Sequence, residues 1–211
     1  MKRTIALAGI LLLKTLSAKT QNNPIEILAG HDNLFYQHNL SIPIRPGSKL
    51  SLVHVMNAMI PYQKTAGKKT KPGELMNQLY AGYALHSSIK LLTGFFYSNA
   101  TDYRSSIAIS FSKKNKQVFY LISPRIDYSK TISYEIFALI EYRFKFNKNL
   151  TGYSRFQTMY NRSKDHNRSY QRMRLGLDFN TAQIGIGTNL EAYGIEHRIV
   201  TNHGIFLRKL L

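Results

Sequence analysis

An all-β fold, an up-and-down antiparallel barrel that crosses a membrane, is what three features of this 211-residue chain predict. The first is alternation. From Ile132 to Phe146 the sequence reads ISYEIFALIEYRFKF. Ile132, Tyr134, Ile136, Ala138, Ile140, Tyr142, Phe144 and Phe146 fall on one face, and Ser133, Glu135, Phe137, Leu139, Glu141, Arg143 and Lys145 on the other. The second is regular punctuation between such runs. The third is the absence, after the first twenty residues, of any apolar stretch long enough for a membrane helix.

The elements follow in order. Residues 1–20, MKRTIALAGILLLKTLSAKT, begin with Lys2 and Arg3, run apolar from Ile5 to Leu13 and end in small residues. That is the layout of a secretory signal peptide, because nine apolar residues cannot span a hydrocarbon core that needs about twenty. The expected mature chain is a single unit, residues 21–211. It is punctuated by tight polar segments at 45–49 (RPGSK), 86–88 (HSS), 113–116 (KKNK), 147–149 (NKN) and 180–181 (NT), each suited to a hairpin turn. Between them lie charged breaks at 64–74, 99–105, 126–131, 162–169 and 193–202, with a weaker one at 30–33. Five turns alternating with six longer loops leave about twelve strands, or ten if 25–44 is one bent strand. Even strand number with turns short at one end and long at the other is the pattern of membrane barrels.

The faces decide between a lipid-facing barrel and a soluble sheet. In-strand charges come in both signs: Glu135, Glu141, Arg143, Arg155, Arg172, Arg174, Asp178, Glu191 and Arg208. Such residues can pair across a narrow lumen, where an unpaired charge would cost several kcal/mol, and they are expected to line the interior and control passage. Tyr134 and Tyr142 on a strand tilted about 45° stand about 19 Å apart along the membrane normal, and extending to Phe144 and Phe146 gives close to the apolar band of a membrane barrel.

The signal-like start, the alternating strands and the closing segment TNHGIFLRKLL together resemble the small outer-membrane β-barrel proteins of Gram-negative bacteria. The resemblance spans the mature chain and implies export to the outer membrane and contact with its lipid and lipopolysaccharide. In that family the last strand commonly ends in an outward-facing aromatic residue; here Leu211 ends it, with Leu207 and Ile205 on the same face. Architecture does not transmit function.

Composition excludes some chemistry. There is no cysteine, hence no disulfide, thiolate metal site or Cys nucleophile. The formal net charge of +18 suggests anionic partners. Nucleic acid is not expected, because the basic residues are not interleaved with stacking aromatics and export removes the usual partner. Lys64, Lys68, Lys69 and Lys71, and likewise Arg162, Lys164 and Arg168, read either as solvated loops or as contacts to outer-leaflet phosphates. Seven histidines show no metal-ligand spacing, and neither metal nor cofactor is expected. Two groupings could supply a nucleophile and base: His54 with Ser51 and Asn57, and His166 with Asn167 and Ser169. There is no G-x-S-x-G elbow. The functional expectation is a structural or accessory membrane subunit, with possible protein partners in a membrane complex, or a narrow pore. The alternatives are a lipid-modifying hydrolase or acyltransferase of the outer membrane and a soluble periplasmic β-protein.

Overall fold

The computed structural model describes residues 23–62, 73–148 and 150–211. Twelve strands follow one another: β1 (Pro24–Gly30), β2 (Asn33–Pro43), β3 (Leu50–Pro61), β4 (Glu74–His86), β5 (Ile89–Ser98), β6 (Asp102–Lys114), β7 (Val118–Tyr128), β8 (Ser133–Lys145), β9 (Thr151–Arg162), β10 (His166–Asp178), β11 (Ala182–Tyr193) and β12 (Arg198–Leu210). Each pairs antiparallel with its neighbours in sequence, and β1 pairs with β12 to close the barrel. Closure leaves no unpaired edge, which a wall surrounded by hydrocarbon requires. The first hairpin is two strands, so twelve and not ten is the count.

The expected contrast between short and long connections is not there. The segments read as long loops connect strands through 31–32, 99–101, 129–132, 163–165 and 194–197, no longer than the longer turns at the other end; the connection 62–73 has more residues. Strands run through the charged segments because many of their charges, Arg104, Asp127 and Arg168 among them, belong to strand positions. The expected signal peptide and Lys64, Lys68, Lys69 and Lys71 lie outside the described residues.

The apolar face turns outward. Ile27, Leu52, Phe95, Ile107, Ile122, Ile136, Ile186 and Leu207 are all exposed, as is Tyr134 at 56 %. The buried set is mostly polar: Glu26, Glu141, Arg155, Arg172, Arg174, Gln183, Asn189 and Glu191 have almost no exposure. This inversion of a soluble core is what a wall facing lipid and enclosing a polar lumen needs. The aromatic and aliphatic exceptions inside are two clusters, one of Leu28, Phe35, Tyr153 and Phe206 and one of Val53, Tyr80, Leu92 and Ala108.

Glycines allow the wall to bend where neighbouring strands come closest. A Cβ on Gly94 would fall 2.0 Å from the Leu79 carbonyl oxygen, and one on Gly204 would fall 1.9 Å from that of Ala29. Both obstacles are backbone and cannot swing away. Gly94→Val and Gly204→Val are each expected to prevent barrel closure, seen as loss of the compact, heat-modifiable band on unboiled SDS gels.

Candidate functional site: a braced lumen

The inward positions from β9 round to β1 are charged, and they meet one another across the lumen. Glu26 on β1 accepts Arg155 from β9 at 2.7 Å and Arg174 from β10 at 2.9 Å. Glu141 on β8 takes Arg208 from β12 at 2.7 Å and its strand neighbour Arg143 at 3.4 Å; Arg143 also reaches Asp178 on β10 at 2.7 Å. Glu191 on β11 is shared by two guanidinium forks: Arg168 donates to Oε2 through Nε and Nη2, and Arg172 to Oε1 through the same pair of nitrogens. Two-point binding of this kind fixes geometry as well as charge. Arg172 is fully buried, with Phe35 and Tyr170 rings 4.4 and 3.8 Å from its guanidinium carbon. The weak hydration of a guanidinium makes it the cation best suited to such a place.

On the other side, Arg125 of β7 binds Asp127 at 2.9 Å and Glu135 at 2.8 Å. At the end away from the termini, Glu74 of β4 pairs with Arg168 of β10 and accepts the Tyr193 hydroxyl at 2.7 Å. Twelve strands about 4.8 Å apart and tilted about 40° would make a ring roughly 24 Å across. An arginine and a glutamate reaching toward each other span only about 15 Å. Contact between β4 and β10, which are six strands apart, therefore flattens the barrel at this level.

All nine residues expected in the lumen have their side chains inside the wall and in these networks. Of the three basic residues expected at outer-leaflet phosphates in the described part, Arg162 and Lys164 are exposed. Arg168 is a correction. It sits in β10, buried and bound to Glu191 and Glu74, because the strand begins at His166, four residues earlier than its charged surroundings suggest. Three acceptors and one donor escaped the sequence reading. Glu74 and Asp127 fell in segments read as loops, and Glu26 fell in the uncertain first hairpin. Arg125, the partner of Glu135, was signalled only by a carboxylate that needed a counter-ion.

The networks occupy one side and one end, leaving a cavity of about 990 Å³. It opens at the turns near the chain termini, where Lys49, His86, Lys90 and Lys114 line it. Its far end is met by Asn57, Met76, Arg125, Glu135, Gln157 and Tyr170. Beyond them Asn33, Ser98, Ser106, Asp127, Ser133, Arg168 and Asn202 are all buried.

The two histidine groupings fare differently. Ser51 and Asn57 are buried on the lumen side, whereas His54 lies on the outer face, where it meets His38 at 2.9 Å and Asn77 at 2.9 Å. The strand pleat separates them, so no triad forms there. His166 and Ser169 do meet, on the outer face beside Tyr160: Nε2 lies 3.2 Å from Ser169 Oγ, and Nδ1 lies 2.6 Å from the Gly194 carbonyl oxygen. The Gly194 carbonyl can only accept, which puts the imidazole proton on Nδ1 and leaves Nε2 free to accept from the serine. Asn167 takes no part; its amide donates to Asn161. Among the described residues no cluster of three or more His, Asp or Glu is arranged to hold a metal.

Comparison with solved structures follows this architecture. The NanC porin aligns over 91 % of this chain and 100 % of its own, at 9 % identity and a TM-score of 0.54. The KdgM porin aligns over 90 % of this chain and 98 % of its own, at 10 % identity and a TM-score of 0.51. The chain has the closed twelve-stranded β-barrel fold of these porins. No protein-family model matches the sequence, and no curated protein matches it. The likeness to these barrels is one of shape.

Removing one anion from such a network should cost more than removing the whole group. Glu26→Leu leaves Arg155 and Arg174 facing each other in a buried space, with an expected loss of about 3–5 kcal/mol. Glu141→Leu, which strips Arg208 and Arg143 together, should be comparable. Replacing Glu26, Arg155 and Arg174 together by Leu or Met should recover most of the loss, measured as urea midpoints of refolded barrels in lipid.

Proposed function

We propose that this barrel resides in the outer membrane and acts as a narrow, anion-preferring pore, constricted in the present conformation by the Arg168, Glu74 and Tyr193 latch. The observation that carries the reading is the charge balance of the lumen. Seven arginines (Arg125, Arg143, Arg155, Arg168, Arg172, Arg174 and Arg208) are in ion pairs with seven carboxylates (Glu26, Glu74, Asp127, Glu135, Glu141, Asp178 and Glu191). Those charges cancel, so the field at the mouth is set by Lys49, Lys90 and Lys114, which have no carboxylate within ion-pair distance among the described residues. A narrow low-dielectric opening lined by one sign of charge concentrates ions of the other sign. The paired residues set the width, and the lysines set the preference. Arg162 and Lys164, exposed at the end with the latch, suit phosphates of outer-leaflet lipid and lipopolysaccharide.

Conductance in planar bilayers tests this. The wild-type barrel should give small, anion-selective steps, and Glu74→Gln should enlarge them severalfold, because Arg168 keeps Glu191 but releases β4. Silence from both proteins would make the barrel a scaffold or accessory subunit instead.

A second reading rests on the Ser169 and His166 pair. A serine hydroxyl bound to the unprotonated nitrogen of an imidazole whose other nitrogen is held by an acceptor has the arrangement of a nucleophile and its base. It lies on the outer face, where acyl esters of the outer leaflet would be within reach. On this reading purified protein releases fatty acid from phospholipid or lipopolysaccharide and Ser169→Ala stops the release. No release from the unaltered protein removes the reading.

A further inference from the structure

Part of the cavity wall, on β7 and β8 between the ion-paired Glu135 and Glu141, is apolar, and nothing in a water-filled passage for small ions calls for it. Leu121 of β7 faces Leu139 of β8 across the register, with Phe137 two residues along, and all three line the cavity and are only partly covered. Val53 and Leu92 extend the same surface. A membrane barrel ordinarily keeps its apolar residues outside. Here they stand beside water at the one place where the lumen is not filled, so they leave apolar area that a ligand can cover.

The cationic side of the same space is equally specific. Lys90 is half-buried, and its ammonium donates to Ser41 Oγ at 2.9 Å, a neutral partner that leaves the charge uncompensated. Lys114 lies at the end of β6, next to Phe119 in the register and hence at the edge of the apolar wall. A small inorganic anion would use these two groups and leave the wall wet. A hydroxyl-rich anion would find partners in Ser110, Ser112 and Ser123 but would leave the apolar area of Leu121, Phe137 and Leu139 uncovered. A neutral apolar molecule would have no use for the lysines.

We propose that the cavity is a binding vestibule for compact amphipathic organic anions, such as aryl or medium-chain alkyl carboxylates. The acid group is held by Lys90 and Lys114 at the mouth, and the apolar body lies on Leu121, Phe137 and Leu139. This deepens the pore reading, on which it rests for what happens to the ligand after binding; occupancy of the site does not require passage.

The chain contains no tryptophan, so Phe137→Trp gives a single reporter inside the cavity. The full barrel carrying it is reconstituted in lipid nanodiscs and titrated with 4-bromobenzoate, whose bromine quenches indole fluorescence on contact. Saturable quenching is expected. It should not be displaced by acetate, should be weak for uncharged 4-bromobenzyl alcohol, and should need about tenfold more ligand after Lys90→Gln with Lys114→Gln, the loss expected for charge-assisted contacts. Quenching that never saturates, equal affinity in the lysine variant, or displacement by acetate at concentrations like those of benzoate would overturn the assignment. Leu121→Trp as an alternative reporter covers the case in which Phe137→Trp fails to fold. Saturable binding without conductance would remove the pore and keep the site, and conductance without binding would do the reverse.

Discussion

Neutralisation of buried charge across the lumen is the constraint on which the structure depends. A wall wrapped in hydrocarbon has to keep its polar groups inside, and a narrow lumen gives them little water. Each carboxylate taken into that space costs several kcal/mol unless a cation meets it there, and the converse holds for each guanidinium. Sharing satisfies both. Glu26, Glu141 and Glu191 each receive two arginines, while Arg125, Arg143 and Arg168 each reach two carboxylates. The network also acts where the sheet is weakest. With only seven residues, β1 is the shortest strand, yet it completes the barrel between β2 and β12. Glu26 ties it from within to β9 and β10, strands with which it forms no ladder.

The bracing is lopsided, and the shape of the lumen follows from that. Arginines concentrate on β9, β10 and β12, so the space they fill lies on their side and at the latch end. On the β3 to β6 side many inward residues are shorter or apolar, such as Ser51, Val53, Leu92 and Ala108, and there the cavity remains. Flattening along the line from β4 to β10 brings Glu74 within reach of Arg168 and Tyr193. Pore width and barrel stability thus rest on the same side chains. A change that opens the passage also loosens the brace, unless it acts at the latch, where Arg168 has a second carboxylate to keep it neutral.

Much of this was legible because the pleat has a period of two. Once one face of residues 132–146 is assigned to lipid, Glu135, Glu141 and Arg143 must face inward, and the same step places Arg172, Arg174 and Glu191. What the pattern cannot carry is pairing between distant strands. Nothing in the sequence ties Glu26 to Arg174, 148 residues away, or Arg208 to Glu141, 67 away. Loop ends were misread for a related reason. A charged residue in a soluble protein signals solvent, but in this lumen Asp127 and Arg168 are buried. The pairing of Ser169 with His166 was open because the strand has an irregularity between His166 and Arg168, which shifts the parity that alternation would otherwise fix.

The outer face obeys the same rule with uncharged groups. Tyr36, His38, His54 and Asn77 form a line across β2, β3 and β4, with successive separations of 2.7, 2.9 and 2.9 Å. A single proton placement satisfies it: Tyr36 donates to His38 Nδ1, His38 Nε2 donates to His54 Nδ1, and His54 Nε2 donates to Asn77 Oδ1. His31 and His203 stack, with Thr188 bonded to the latter, and His197 stacks on His166. Histidines on a lipid-facing surface are costly alone. Grouped so that each ring nitrogen in the Tyr36 to Asn77 line has a partner, they need neither metal nor water, which accounts for histidines that lack ligand spacing in the sequence. His166 differs in having one ring nitrogen held by a backbone carbonyl, that of Gly194, while the other meets the Ser169 hydroxyl, and that difference is what gives it a chemical reading.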